Sequence, residues 1–178
     1  MSSTTLVTKY SILARYLHWS MALLIAVQFL TIFYVFIQEI DDPALFTIVQ
    51  GHHASGMLVF VLLMLRIVVR RLSCQPKLSS EHFSKGERHM AKIGHIALYT
   101  LMLTMPVSGY IIMDTSPYDA HFYSYTMPDI LVIDELTMNR AAFLHWLGAW
   151  VTGLAILGHI TMAIWHHRRI PKFIRRMF

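Results

Sequence analysis

Two histidines in one apolar run invite a chemical reading. His145 and His159 lie fourteen residues apart in Arg140-Ala-Ala-Phe-Leu-His145-Trp-Leu-Gly148-Ala-Trp-Val-Thr152-Gly-Leu-Ala155-Ile-Leu-Gly-His159. On an α-helix that spacing is about 21 Å of rise and an offset of only about 40°. Both imidazoles therefore share a face, near opposite edges of a membrane-thick helix. Gly148, Thr152 and Ala155, all small, lie between them on that face. Such a helix offers one metal-binding imidazole at each of two depths, and other segments must supply the partners.

The chain has eleven histidines in 178 residues. Inside a soluble core a lone histidine is usually structural. In a membrane span ionisable groups are costly and mark function, so the reading shifts. Depth along the apolar runs sorts the candidates. His18, His95 and His159 fall toward one edge, and His52, His53 and His145 toward the other. The pairings are then His159 with His18 or His95, and His145 with His52 or His53.

His52 is favoured over His53 because it shares a helical face with Gly56 and, fourteen residues on, with Arg66. Glycine leaves room for a flat cofactor edge, and the guanidinium suits a carboxylate at the other depth. His53 projects about 100° away, toward the loop or lipid headgroups. His18 is preferred over His95, although spacing does not decide between separate helices. His95 also reads as a polar residue facing the bundle, bonding a cofactor carboxylate or a quinone. His82, His89, His121, His166 and His167 sit in loops or at helix ends and read as solvated.

A structural zinc site gathers four ligands, usually some of them thiolates. Here one histidine per segment recurs at two levels beside glycines, which suits two imidazoles on opposite faces of a macrocycle. That pattern points to two bis-histidine haems. No Cys-x-x-Cys-His is present and Cys74 is the single cysteine, so attachment through thioethers is excluded and any haem must be held by its iron ligands and by packing. With both axial positions filled, one-electron transfer is the chemistry left. A histidine proton relay is the weaker reading, because the spans lack carboxylates.

The elements that must hold these residues are membrane helices. The chain is 56% hydrophobic and 14% charged, with a mean hydropathy of +0.51. Apolar runs at about 14–38, 45–71, 89–113 and 139–166 each suffice to cross a core of about 30 Å. In lipid the backbone must bond to itself, so these runs are helices. The expectation is an all-α, integral membrane four-helix bundle, with residues 1–178 as a single transmembrane domain. The first run is too long for a signal peptide and has no clear cleavage site.

Charge orients the bundle. Of the fifteen lysines and arginines only Arg140 falls outside the lead, the connection between spans two and three, and the tail. Eight of the ten acids fall in the other two connections. The positive-inside rule then places both termini in the cytoplasm. Anionic lipid heads account for the basic tail, and nucleic acid is not needed.

Between the spans, residues 1–11 read as a polar lead. Asp41-Asp42-Pro43 marks a short turn, and Ser84-Lys-Gly-Glu87 fits a capping box. Pro106 and Gly109 are expected to kink span three. Residues 114–139, with Pro117, Pro128 and many tyrosines, read as a compact periplasmic cap.

Taken together, Leu17-His18-Trp19, His52-x-x-x-Gly56 with Arg66 and Arg70, Lys92-Ile-Gly94-His95-Ile-Ala-Leu-Tyr99 with Pro106-x-x-Gly109, His145 with His159, and the closing His166-His167 and Arg176-Met177 resemble the bacterial cytochrome b561 family. The resemblance covers all four spans. It implies that His18 and His159 ligate one haem b and His52 and His145 the other, in a bacterial inner-membrane electron carrier. It further implies quinone, such as ubiquinone, as a partner. One member is similar to a superoxide oxidase, which takes electrons from a small periplasmic donor. Others are haem-bearing anchor subunits of hydrogenases and dehydrogenases, with a partner redox protein as donor. The doubled His52-His53 and the Tyr-rich segment 118–125 depart from the family pattern, and they lie where a donor would dock.

Overall fold

A computed structural model describes residues 9–38, 44–76, 82–117, 121–122, 125–170 and 173–178. Four long helices dominate: α1 (Ile12–Ile37), α2 (Ala44–Leu72), α3 (Lys85–Asp114) and α4 (Glu135–Arg169). A two-stranded antiparallel hairpin, β1 (His121–Phe122) and β2 (Tyr125–Thr126), and a final 3₁₀ turn, Ile174–Met177, complete the order. All four helices are long and apolar enough to cross a membrane. The expected turn at Asp41–Pro43 and most of the polar lead lie outside the described residues.

Local chemistry explains where the helices begin. Ser11 accepts from the Ala14 N–H and caps α1. Ser84 caps α3 in a reciprocal box: its hydroxyl accepts from the Glu87 N–H, and the Glu87 carboxylate accepts from the Ser84 N–H at 2.7 Å. Asp134 accepts from the Thr137 N–H at 2.9 Å and opens α4. α3 and α4 therefore start about a turn before their apolar runs, because a polar first turn is good helix once capped. α3 continues through Pro106 to Asp114.

α1 packs along α2, α3 along α4, and α2 joins the two pairs through α3. Small buried clusters seal the contacts. One gathers Ala14, Leu17 and Val69; the other gathers Met21, Val59 and Leu63, with Tyr99 and Met102 against it. Few side chains are buried, and large apolar ones such as Phe33, Phe36, Phe143, Trp150 and Leu154 point outward. In water such a surface would aggregate; in a bilayer it is the lipid face.

The two ends of the bundle differ. At the terminal end the chain's first and last described segments meet. The Tyr10 N–H donates to Arg176 O, the Trp19 indole donates to Met177 O at 2.8 Å, and the Trp19 and Phe178 rings lie 4.9 Å apart. Arg169 pairs with Glu87 there, tying α4 to α3. At the loop end the buried Asp114 carboxylate accepts from the Ile130 and Leu131 N–H groups, and the Tyr110 hydroxyl donates to Pro128 O. The described part of this connection is thus pinned to α3, as a compact cap should be, and β1 packs on α2.

Candidate functional site: two histidine pairs sharing one helix

α4 carries a histidine at each level, and each meets a partner on another helix. At the loop end the rings of His52 and His145 have centroids 6.3 Å apart. At the terminal end His18 and His159 are also 6.3 Å apart. A metal–imidazole bond of about 2 Å, plus about 1 Å from the nitrogen to the ring centre, taken on both sides of one metal, gives a ring separation of roughly 6 Å. Both pairs match the spacing of two axial imidazoles. Among the described residues no group of three or more His, Cys, Asp or Glu side chains forms a metal cage.

The spacing of the backbones agrees. The close helix contacts are α1–α2, α3–α4 and α2–α3, whereas the histidines reach across α1–α4 and α2–α4. Imidazoles thus face one another between helices whose backbones stand apart, as a macrocycle requires. Two glycines keep α3 and α4 close. A Cβ on Gly109 would lie 3.3 Å from Cε1 of His145, and one on Gly148 only 2.7 Å from Sδ of Met105. Gly109 therefore leaves room for the His145 ring itself.

A family model described as prokaryotic cytochrome b561 matches residues 9–178. The chain belongs to this family. It is also 28% identical over 169 residues, 94% of this chain and 89% of the other, to cytochrome b561 homolog 2 of Escherichia coli (strain K12). Membership in the family, with four spanning helices, makes the chain a multi-pass membrane cytochrome whose cofactor is haem b and whose work is electron transfer. The paired imidazoles fit that cofactor.

His159 also has His95 at 5.9 Å, so the terminal-end level holds three histidines and distance alone does not exclude His95. Arg66 reaches this level. Its Nε donates to the Tyr99 hydroxyl at 3.1 Å, and its Nη1 donates to Ala14 O, one turn before His18. It bridges α1 and α3 from α2. Gly56 sits beside Gln28, whose side-chain amide is 3.7 Å from where a Cβ would stand. That amide donates to His52 O and to the Ser55 hydroxyl, so Gln28 ties α1 to α2 at the loop-end level.

Three features differ from the reading of the sequence or go beyond it. His53, expected to face the loop or lipid headgroups, has a buried Nδ1 and a ring 6.1 Å from that of His52. His166 is not solvated. It is buried among Phe83, Trp165 and Phe173, with ring centroids 5.0, 4.9 and 5.4 Å away, because the tail folds back over the end of α4. His82, His89 and His167 are exposed as expected, and the side chain of His121 lies outside the described residues. Finally, Thr31 and Ser108 are hydrogen-bonded to the loop-end imidazoles and were not singled out in the sequence. Hydroxyls are common in membrane helices and normally bond their own backbone, so only proximity to a histidine marks these two.

Proposed function

We propose that the chain carries single electrons across the membrane between two haem b groups, one held by His52 and His145 and the other by His18 and His159. The observation that carries the proposal is the repeated 6.3 Å imidazole pairing along one helix. Held by these imidazoles, haem b would supply reversible one-electron transfer. Arg66 sets a guanidinium at the His18–His159 level, a charge complement for haem carboxylates. His95 is left as a polar neighbour of that pair.

The charge distribution supports a cytoplasmic terminal end and a periplasmic loop end in a bacterial inner membrane. Electrons then enter from a periplasmic donor and leave to the quinone pool. With superoxide as donor, two anions each give up one electron and become dioxygen. A quinone takes up the two electrons with two protons and becomes quinol.

A reduced-minus-oxidised spectrum and the haem-to-protein ratio test the first part. Two b-type haems per chain are expected, and a purified protein without a b-type signal would overturn it. Superoxide consumption coupled to quinone reduction by the isolated protein tests the second. Two haems without that activity would instead favour a haem-bearing anchor subunit that receives electrons from a partner redox protein.

A further inference from the structure

Both hydroxyl–imidazole hydrogen bonds among the described residues fall at the loop-end level. Oγ1 of Thr31, on α1, is 3.0 Å from Nδ1 of His52. The same oxygen is 3.0 Å from Val27 O and 2.9 Å from Gln28 O. Oγ of Ser108, on α3, is 2.9 Å from Nδ1 of His145 and 2.9 Å from Met105 O. Thus the two helices that contribute no ligand at this level contribute one hydroxyl each.

A hydroxyl has one proton, and a backbone carbonyl only accepts. With that proton given to the carbonyl one turn back on its own helix, each hydroxyl meets the imidazole with a lone pair, and the tautomer that completes the bond is the one with the proton on Nδ1. Nε2 is then the nitrogen with a free lone pair, on both rings at once. A ligand imidazole that donates from its other nitrogen is held in orientation and made more basic.

The other level is built differently. There Arg66 brings a fixed positive charge, held by Tyr99 and by the backbone at Ala14. A more basic ligand favours the oxidised, more positive state of a metal. A nearby cation favours the reduced state.

We propose that Thr31 and Ser108 are positioning residues that fix His52 and His145 as Nε2 ligands and hold the loop-end site at the lower reduction potential of the two. An electron would then pass downhill from a haem held by His52 and His145, which is oxidised, to one held by His18 and His159, which is reduced. This rests on the ligand assignment of the preceding section and adds a direction to it.

The test uses purified holoprotein with Thr31→Val, Ser108→Ala and the two combined. It reads haem content, the two midpoint potentials and the low-spin electron paramagnetic resonance signals. His52→Ala identifies which component belongs to the loop-end site. The expected result is two haems retained, with the loop-end component moved to more positive potential and its resonance signal changed, while the other component stays fixed. A tenfold change in the electron distribution between the sites corresponds to about 59 mV. Thr31→Ser and Ser108→Thr should restore the wild-type values. Two retained haems with neither potential moved would overturn the proposal. If Val or Ala sheds the haem, the hydroxyl-bearing variants decide: retention at wild-type potential supports it, and loss there too overturns it. Should His52→Ala keep both haems, the ligand assignment fails instead, and that outcome is separate.

Discussion

On the proposed pairing each haem needs both of its imidazoles, so removing one should empty one level and spare the other. His52→Ala or His145→Ala is expected to lower the haem content from two to one per chain, and His18→Ala or His159→Ala to do the same for the other component. Optical spectra of the purified variants, with pyridine haemochrome quantification, check this. His95→Ala is expected to keep both haems, and loss of the terminal-end component would transfer the ligand role from His18 to His95. The histidines were legible because an ionisable group in lipid is too costly to be incidental. Their partners were only half legible: a sequence gives depth along a helix and the direction a side chain takes around it, but not which neighbouring helix it meets. Thr31 and Ser108 were silent for the opposite reason, since a hydroxyl satisfied by its own helix costs nothing and so carries no signal. His166 was misread because the tail that covers it is brought there by folding.

At the scale of the helix, beginnings are set by caps and spacing by glycines. Ser84 and Glu87 announced the start of α3, whereas Asp134 was read only as one of the loop acids. Hydrogen bonds from Thr137, from its hydroxyl and then from its backbone N–H, hold the Asp134 carboxyl below its ordinary 3.8. A group with a depressed folded pKa stabilises the fold above its unfolded value, and that contribution disappears as the pH falls through the folded one. The first turn of α4 should therefore be firm near neutral pH and fray on acidification below 3.8. Hydrogen exchange at Leu136–Met138 measures it, and Asp134→Asn should remove the pH dependence. Gly148 bears on packing instead. A Cβ there would sit 2.7 Å from Sδ of Met105, so Gly148→Val is expected to force α3 and α4 apart. Overpacking of this kind costs about 1–3 kcal/mol. A lowered thermal midpoint for haem release would show it, and an unchanged midpoint would mean that Met105 absorbs the change. The four helices themselves were plain in the sequence, since long apolar runs in lipid have almost no alternative.

The whole molecule is electrically lopsided. Cys74 is exposed just beyond α2, at the terminal end. A membrane-impermeant maleimide should leave it unmodified in intact spheroplasts and label it after lysis; labelling before lysis would invert the orientation. The loop end has its own consequence. Asp129, Asp134 and Glu135 lie there with Arg140 as the single cation outside the basic segments. An anionic donor approaches against this field, and salt screens it. If superoxide is the donor, its oxidation should therefore quicken as ionic strength rises, in stopped-flow measurements, whereas electron transfer from a cationic protein donor should slow.

One helix supplies an imidazole to both levels, and this has a kinetic meaning. Electron tunnelling weakens exponentially with distance, so a path between sites on separate helices would flicker as the bundle breathed. Here the separation is measured along α4, a covalent and hydrogen-bonded rod whose length barely responds to its neighbours. Sliding of α1 or α2 would tilt a ring, but it would not stretch the interval between the levels. On the proposed pairing, electron transfer between the levels would be clocked by the pitch of an α-helix, and its rate should stay nearly constant while the rest of the protein moves.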